Sequence, residues 1–103
     1  MKIQTTRTET ETIIAVEGEV DLYSSPELRK AVLKAVPNAE GGLVVDLGGV
    51  SYMDSSGVAT LVEGLRSAKK HDTSFVLVRP SSAVMKVLEL ARLDRVFDVR
   101  TDG

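Results

Sequence analysis

The sequence contains no cysteine and no tryptophan, and only one histidine, two tyrosines and two phenylalanines. Without cysteine there is neither a disulfide framework nor a thiolate metal site. The lone histidine, His71, has no second imidazole to share a zinc ion with. It lies in the polar run Lys69-Lys70-His71-Asp72, where a histidine faces solvent more often than it serves catalysis. No apolar run approaches the roughly 18 to 20 residues that cross a bilayer. The opening Met1-Lys2-Ile3-Gln4-Thr5-Thr6-Arg7 lacks the apolar stretch of a secretion signal. The formal net charge is −2, and no dense Lys/Arg stripe is present to neutralise phosphates. These absences predict a soluble, cytoplasmic protein with no nucleic-acid partner, no direct membrane insertion, no metal and no cofactor.

Hydrophobic residues make up 43% and charged residues 27% of the 103 positions, a globular composition that suits one domain over residues 1–103. Thr5 to Thr12 alternates threonine with charge and predicts an exposed edge strand. Thr12 to Gly18 predicts a more buried strand, antiparallel to the first across a turn near Thr10. Gly18-Glu19-Val20-Asp21 follows as a loop. Ser25 and Pro26 open a helix with an apolar face of Leu28, Ala31, Val32 and Ala35, ended by Pro37-Asn38 and Gly41-Gly42. Leu43 to Leu47 predicts a central strand broken by Gly48-Gly49. A second helix runs from Ser55 to Lys70, and Ser74 to Val78 forms a buried strand. Ser81-Ser82 caps a third helix, and Val96 to Arg100 forms a last edge strand. The order β-β-α-β-α-β-α-β predicts an α/β fold, a mixed four- to five-stranded sheet with helices packed against it.

Enzyme signatures are missing. The nucleophile elbow G-x-S-x-G does not occur, and neither does a phosphate-cradling G-x-x-x-x-G-K-[ST]. A serine nucleophile would need a base within hydrogen-bond reach. Asp46 ends a strand as a phosphoacceptor aspartate would. However, the early acids Glu17, Glu19 and Asp21 are spaced across a turn rather than paired after a first strand, as a Mg²⁺ site requires.

The informative stretch is Ser51-Tyr52-Met53-Asp54-Ser55-Ser56-Gly57-Val58. Asp and Ser are preferred helix caps, so capping alone accounts for one of them. It accounts less well for three in a row followed by a glycine in the first turn. Along the helix, Val58, Leu61, Val62, Leu65 and Ala68 form an apolar stripe. Gly57, Thr60, Gly64 and Ser67 form a stripe of small residues that begins beside the serines. That second stripe reads either as an outward docking surface or as close packing at Gly64, and the partner-binding reading takes Thr60, Gly64 and Ser67 as its residues. A phosphate on a serine here adds about −1.5 to −2 charge at the helix start. A helix N-terminus accommodates an anion. A partner that had desolvated the neutral hydroxyl would instead meet a buried unpaired charge, costing several kcal/mol.

Met53-Asp54-Ser55-Ser56-Gly57 resembles the phosphorylation motif of bacterial anti-sigma factor antagonists, in the STAS domain family. Gly18-Glu19-Val20-Asp21 resembles that family's Gly-Glu-Leu-Asp loop, and the element order agrees over nearly the whole chain. The departures are Val20 in place of leucine and Val58-Ala59 after the glycine. The resemblance implies a STAS-type fold and a non-enzymatic switch phosphorylated on Ser55. It implies that Asp21 and Asp54 line the phosphorylation site and that Ser56 and Gly57 shape its turn. Its implied partners are an anti-sigma factor serine kinase, bound by the unmodified form, and a serine phosphatase that reverses the modification. Any ATP would belong to the kinase. Related domains are subunits of lipid-transporting ABC systems, so docking on an ABC ATPase stays open as an alternative. A hydrolase using Ser55 is the enzymatic alternative.

Overall fold

Alternation of buried and exposed positions along Thr12–Val20 and Leu43–Met53 makes each strand two-faced, and one of these faces carries the core. The computed structural model describes residues 1–101; Asp102 and Gly103, the end of the expected domain, lie outside them. Five strands form one sheet in sequence order: β1 (Lys2–Arg7), β2 (Thr12–Val20), β3 (Leu43–Met53), β4 (Phe75–Val78) and β5 (Asp98–Arg100). β1 is antiparallel to β2, and all other neighbours are parallel. Helices α1 (Ser25–Ala35), α2 (Ser55–Lys70) and α3 (Ser82–Leu90) make the parallel crossovers.

The core is one layer thick. Ile14 and Val16 of β2, Val45 and Leu47 of β3 and Leu77 of β4 are buried. They form a single cluster with Leu28 and Val32 of α1, Val58 and Leu61 of α2, and Val84 and Leu88 of α3. All three helices therefore cover the same face of the sheet.

Several boundaries differ from the sequence reading. β2 and β3 do not stop at Gly18 and Gly48-Gly49. They pair onward to Val20 and Met53, absorbing the glycines through register shifts after Ala15 and Gly18. The expected loop at Gly18–Asp21 is thus mostly strand, and it delivers Asp21 to the same sheet end as Asp54. Ser25 is not the cap of α1. Ser24 occupies that position and Ser25 is buried in the first turn, where Pro26 still costs no backbone hydrogen bond. The first hairpin turns at Thr8–Glu11, where the Thr8 N–H donates to the Glu11 carbonyl at 2.8 Å. The edge strands are shorter than expected, β1 ending at Arg7 and β5 starting at Asp98.

Candidate functional site

The parallel strands β2 and β3 end side by side, so the loops that leave them meet. The Asp54 N–H donates to the Val20 carbonyl at 3.1 Å, joining the two segments directly. The four hydroxyl and carboxyl groups of Asp21, Asp54, Ser55 and Ser56 are then divided by their hydrogen bonds.

Asp54 is the N-cap of α2. Its Oδ1 accepts from the Ser56 N–H at 2.9 Å and the Gly57 N–H at 3.4 Å, satisfying orphan donors of the first turn. The Ser56 hydroxyl donates to the same oxygen. That hydrogen bond is the main reason the Asp54 carboxyl lies below its ordinary value; the backbone N–H groups of Ser56, Gly57 and Leu22 assist, against partial desolvation. Asp21 is fixed in the same way within its own loop. Its Oδ1 accepts from the Ser24 N–H and the Tyr23 N–H, both at 3.0 Å. The Ser24 backbone contact is the main cause of its lowered pKa, opposed by desolvation and by the neighbouring Asp54 charge.

Ser55 is left over. It is exposed, while Asp54 and Ser56 are half-buried and Gly57 is buried. Among the described residues its hydroxyl makes no hydrogen bond to any side chain or carbonyl. It stands at the first position of a 16-residue helix whose first turn holds no acidic residue. The arrangement presents one accessible hydroxyl at a positive helix end, beside two carboxylates that each cap their own loop through Oδ1. His71 lies at the C-cap of α2, at the opposite end from Ser55, with Nδ1 2.9 Å from the Ser67 carbonyl oxygen. Among the described residues no three His, Asp or Glu groups are placed to hold a metal ion, and no helix is long and apolar enough to cross a membrane.

The structure corrects the stripe of small residues. Thr60 and Gly64 do not face outward; both are buried, and Ser67 is half-buried. A Cβ on Gly64 would lie 2.7 Å from Val32 Cγ1 and 2.9 Å from Phe75 Cζ, so α2 crosses α1 and β4 at a distance only glycine permits. A Cβ on Gly57 would lie 2.7 Å from Met53 Cγ and 2.9 Å from Val20 Cγ1. Thr60 satisfies its hydroxyl by donating to the Ser56 carbonyl at 3.0 Å. Of the expected apolar stripe, Val58, Leu61 and Ala68 are buried, and Val62 and Leu65 pack half-buried against the core. The helix turns its narrow side inward because the gap it fills is narrow.

The sequence reading missed the apolar rim of the site. Tyr23 is 90% exposed, Leu22 67% and Tyr52 50%. Tyr52 is paired with Glu19 at the end of the sheet, and the Leu22 N–H faces the Asp54 carboxylate. Large side chains this exposed mark contact surfaces when they gather. One signal was available: both tyrosines of the chain flank the two motif segments.

The fold agrees with known proteins. The chain is 35% identical over 88 residues to an anti-sigma-B factor antagonist of Bacillus subtilis, covering 84% of this chain and 78% of that one. The solved structure of the anti-sigma factor antagonist SpoIIAA in its unphosphorylated form superposes with a TM-score of 0.80 at 23% identity, covering 98% of this chain and 90% of that one. The phosphorylated form of the Bacillus cell fate determinant SpoIIAA superposes with a TM-score of 0.74 at 23% identity, covering 98% and 93%. At that identity the structures establish the shared fold. The family model described as Mlab, STAS domain, matches residues 3–100. With its sheet order, helix order and nearly its whole length in agreement, this chain belongs to the STAS domain family.

Proposed function

We propose that this chain is a single-domain anti-sigma factor antagonist that works as a phospho-switch on Ser55 and has no catalytic step of its own. One observation carries the reading: of the residues at the α2 entrance, Ser55 alone offers a free, exposed hydroxyl, because Asp54 is spent as the cap and Ser56 is tied to Asp54. In this reading an anti-sigma factor serine kinase binds the unmodified surface, seating on Leu22, Tyr23 and Tyr52 around Ser55. Its ATP supplies the phosphoryl group: the Ser55 Oγ–P bond forms, the bond to ADP breaks, and the hydroxyl proton passes to the kinase. A serine phosphatase restores the hydroxyl by hydrolysis. The curated relatives named as anti-sigma-B factor antagonists support the partner class.

The physical basis is a difference in desolvation. The phosphoserine keeps its contact with the helix N-terminus, so the domain tolerates it. The carboxylates of Asp21 and Asp54 repel it outward, towards the partner. Burying that dianion without a counter-charge costs several kcal/mol, and each 1.4 kcal/mol is tenfold in affinity.

The test uses the anti-sigma serine kinase from the same organism with ATP. Mass spectrometry should find one added phosphate, on Ser55, and none on Ser55→Ala. Ser55→Asp should fold normally and bind the kinase at least about tenfold more weakly. Equal modification of Ser55→Ala removes the site assignment, and equal affinity of Ser55→Asp removes the switch. Co-purification with an ABC ATPase, with no phosphate on Ser55, would instead favour the transporter-subunit reading.

A further inference from the structure

The helices leave one face of the sheet bare. On that face the register sets Ile13, Val44 and Val76 side by side in one row and Ala15, Asp46 and Val78 in the next. Val76 is only 6% exposed and the rest are half-buried, so five of the six positions form an apolar strip interrupted by Asp46. β2 to β5 run parallel, and parallel sheets occur with both faces covered. Here the described residues cover only one.

Charge crosses the same face in a fixed sense. Glu17, at the β2 side, is exposed and makes no ion pair among the described residues. Arg79, just past β4, folds back over the face to pair with Asp46 while its side chain stays 59% exposed. Its φ of 48° is left-handed, a conformation that a bulky residue adopts only when its surroundings impose it. β3 runs midway between the acidic and basic sides. An isologous interface needs this antisymmetry, since a two-fold axis presents each side to its opposite.

We propose that the bare sheet face is a self-association surface whose occupant is a second copy of this chain, the two sheets stacked about a two-fold axis along β3. That axis sets Ile13 against Val76 of the second copy, Ala15 against its Val78 and Glu17 against its Arg79. Asp46 lies near the axis, where two copies would repel were each not neutralised by its own Arg79. Aligned stacking at about 10 Å lets the two apolar strips interdigitate. Ser55 projects from the strand ends beside the helical layer, so both hydroxyls of the dimer stay accessible and the proposal is independent of the switch.

The test is light scattering and analytical ultracentrifugation of the full chain. The wild type should associate to a dimer. Glu17→Arg and Arg79→Glu should each raise the dimer dissociation constant by about a hundredfold, because each sets like charges face to face. Mixed together, these two variants should form a heterodimer, since both pairs of residues 17 and 79 across the interface then join opposite charges and one copy keeps its Asp46 neutralised. Val44→Glu, at the centre of the strip, should be monomeric with an unchanged circular dichroism spectrum. A wild type that stays monomeric up to its solubility limit overturns the proposal. So does a mixture of the charge variants that fails to dimerise, or a dimer that survives Val44→Glu.

Discussion

Ser55 and Gly64 lie on the same helix and both are small, yet their surroundings have nothing in common. At Gly64 the side chain is missing because Val32 and Phe75 occupy its space. At Ser55 the side chain is short, uncrowded and without a hydrogen-bond partner among the described residues, facing solvent at the helix start. The first is a packing solution and is worth stability. The second contributes almost nothing to the fold, which leaves it available for chemistry. The difference teaches that residue size along a helix carries no functional meaning until the direction of each position is known.

The sharpest break of this comparison is Gly64→Val. It should lose about 3 kcal/mol in urea denaturation, because the added methyls have no space and the neighbours belong to a close-packed layer. Unchanged stability would mean that α2 does not approach α1 and β4 as closely as described. Next comes Asp54→Ala, which removes the cap and frees Ser56. It should lower the urea midpoint clearly, and Asp54→Asn should recover part of the loss, since an amide oxygen still accepts from the first turn. No recovery would point to the charge rather than the cap geometry.

A smaller effect is expected with pH. The Asp21 and Asp54 carboxyls are held below their ordinary value of 3.8 in the fold. The unfolded chain therefore takes up protons first as pH falls. The stability these groups contribute is complete above that value and is lost as pH falls through their lower folded values. Denaturation midpoints measured towards acid should drop less steeply in Asp21→Asn and Asp54→Asn than in the wild type. Parallel curves would remove the linkage. The smallest effects belong to the exposed side chains of the site: Ser55→Ala and Tyr23→Ala should each change stability by less than about 0.5 kcal/mol. A larger loss in either would show that these exposed side chains support the fold after all.

Much of the architecture was legible because it rests on local chemistry. α2 spans Ser55–Lys70 as its caps and spacing predicted, and α3 likewise begins at Ser82 behind Ser81, whose hydroxyl accepts from the Val84 N–H. The antiparallel hairpin and the alternation of strands with helices followed from apolar patterning. Strand ends at the glycines were not legible. Gly18 and Gly48-Gly49 stop a strand by propensity, but pairing between β2 and β3 carried both through. The small-residue side of α2 was not legible either. Apolar periodicity rightly put Val58, Leu61 and Ala68 inside, but the narrow gap beside Val32 and Phe75 took in Gly64, with Thr60 buried on the same side.

By itself the sequence determined the element order, the caps of α2 and α3 and the cluster of Asp54, Ser55 and Ser56, because these depend on neighbours along the chain. Only the tertiary structure decided which hydroxyl is free, which residues line the inner face of α2 and that the Asp21 loop meets the Asp54 cap. Those outcomes depend on how close segments distant in sequence come to one another. That distance is set by packing across the sheet, which no local run of residues encodes.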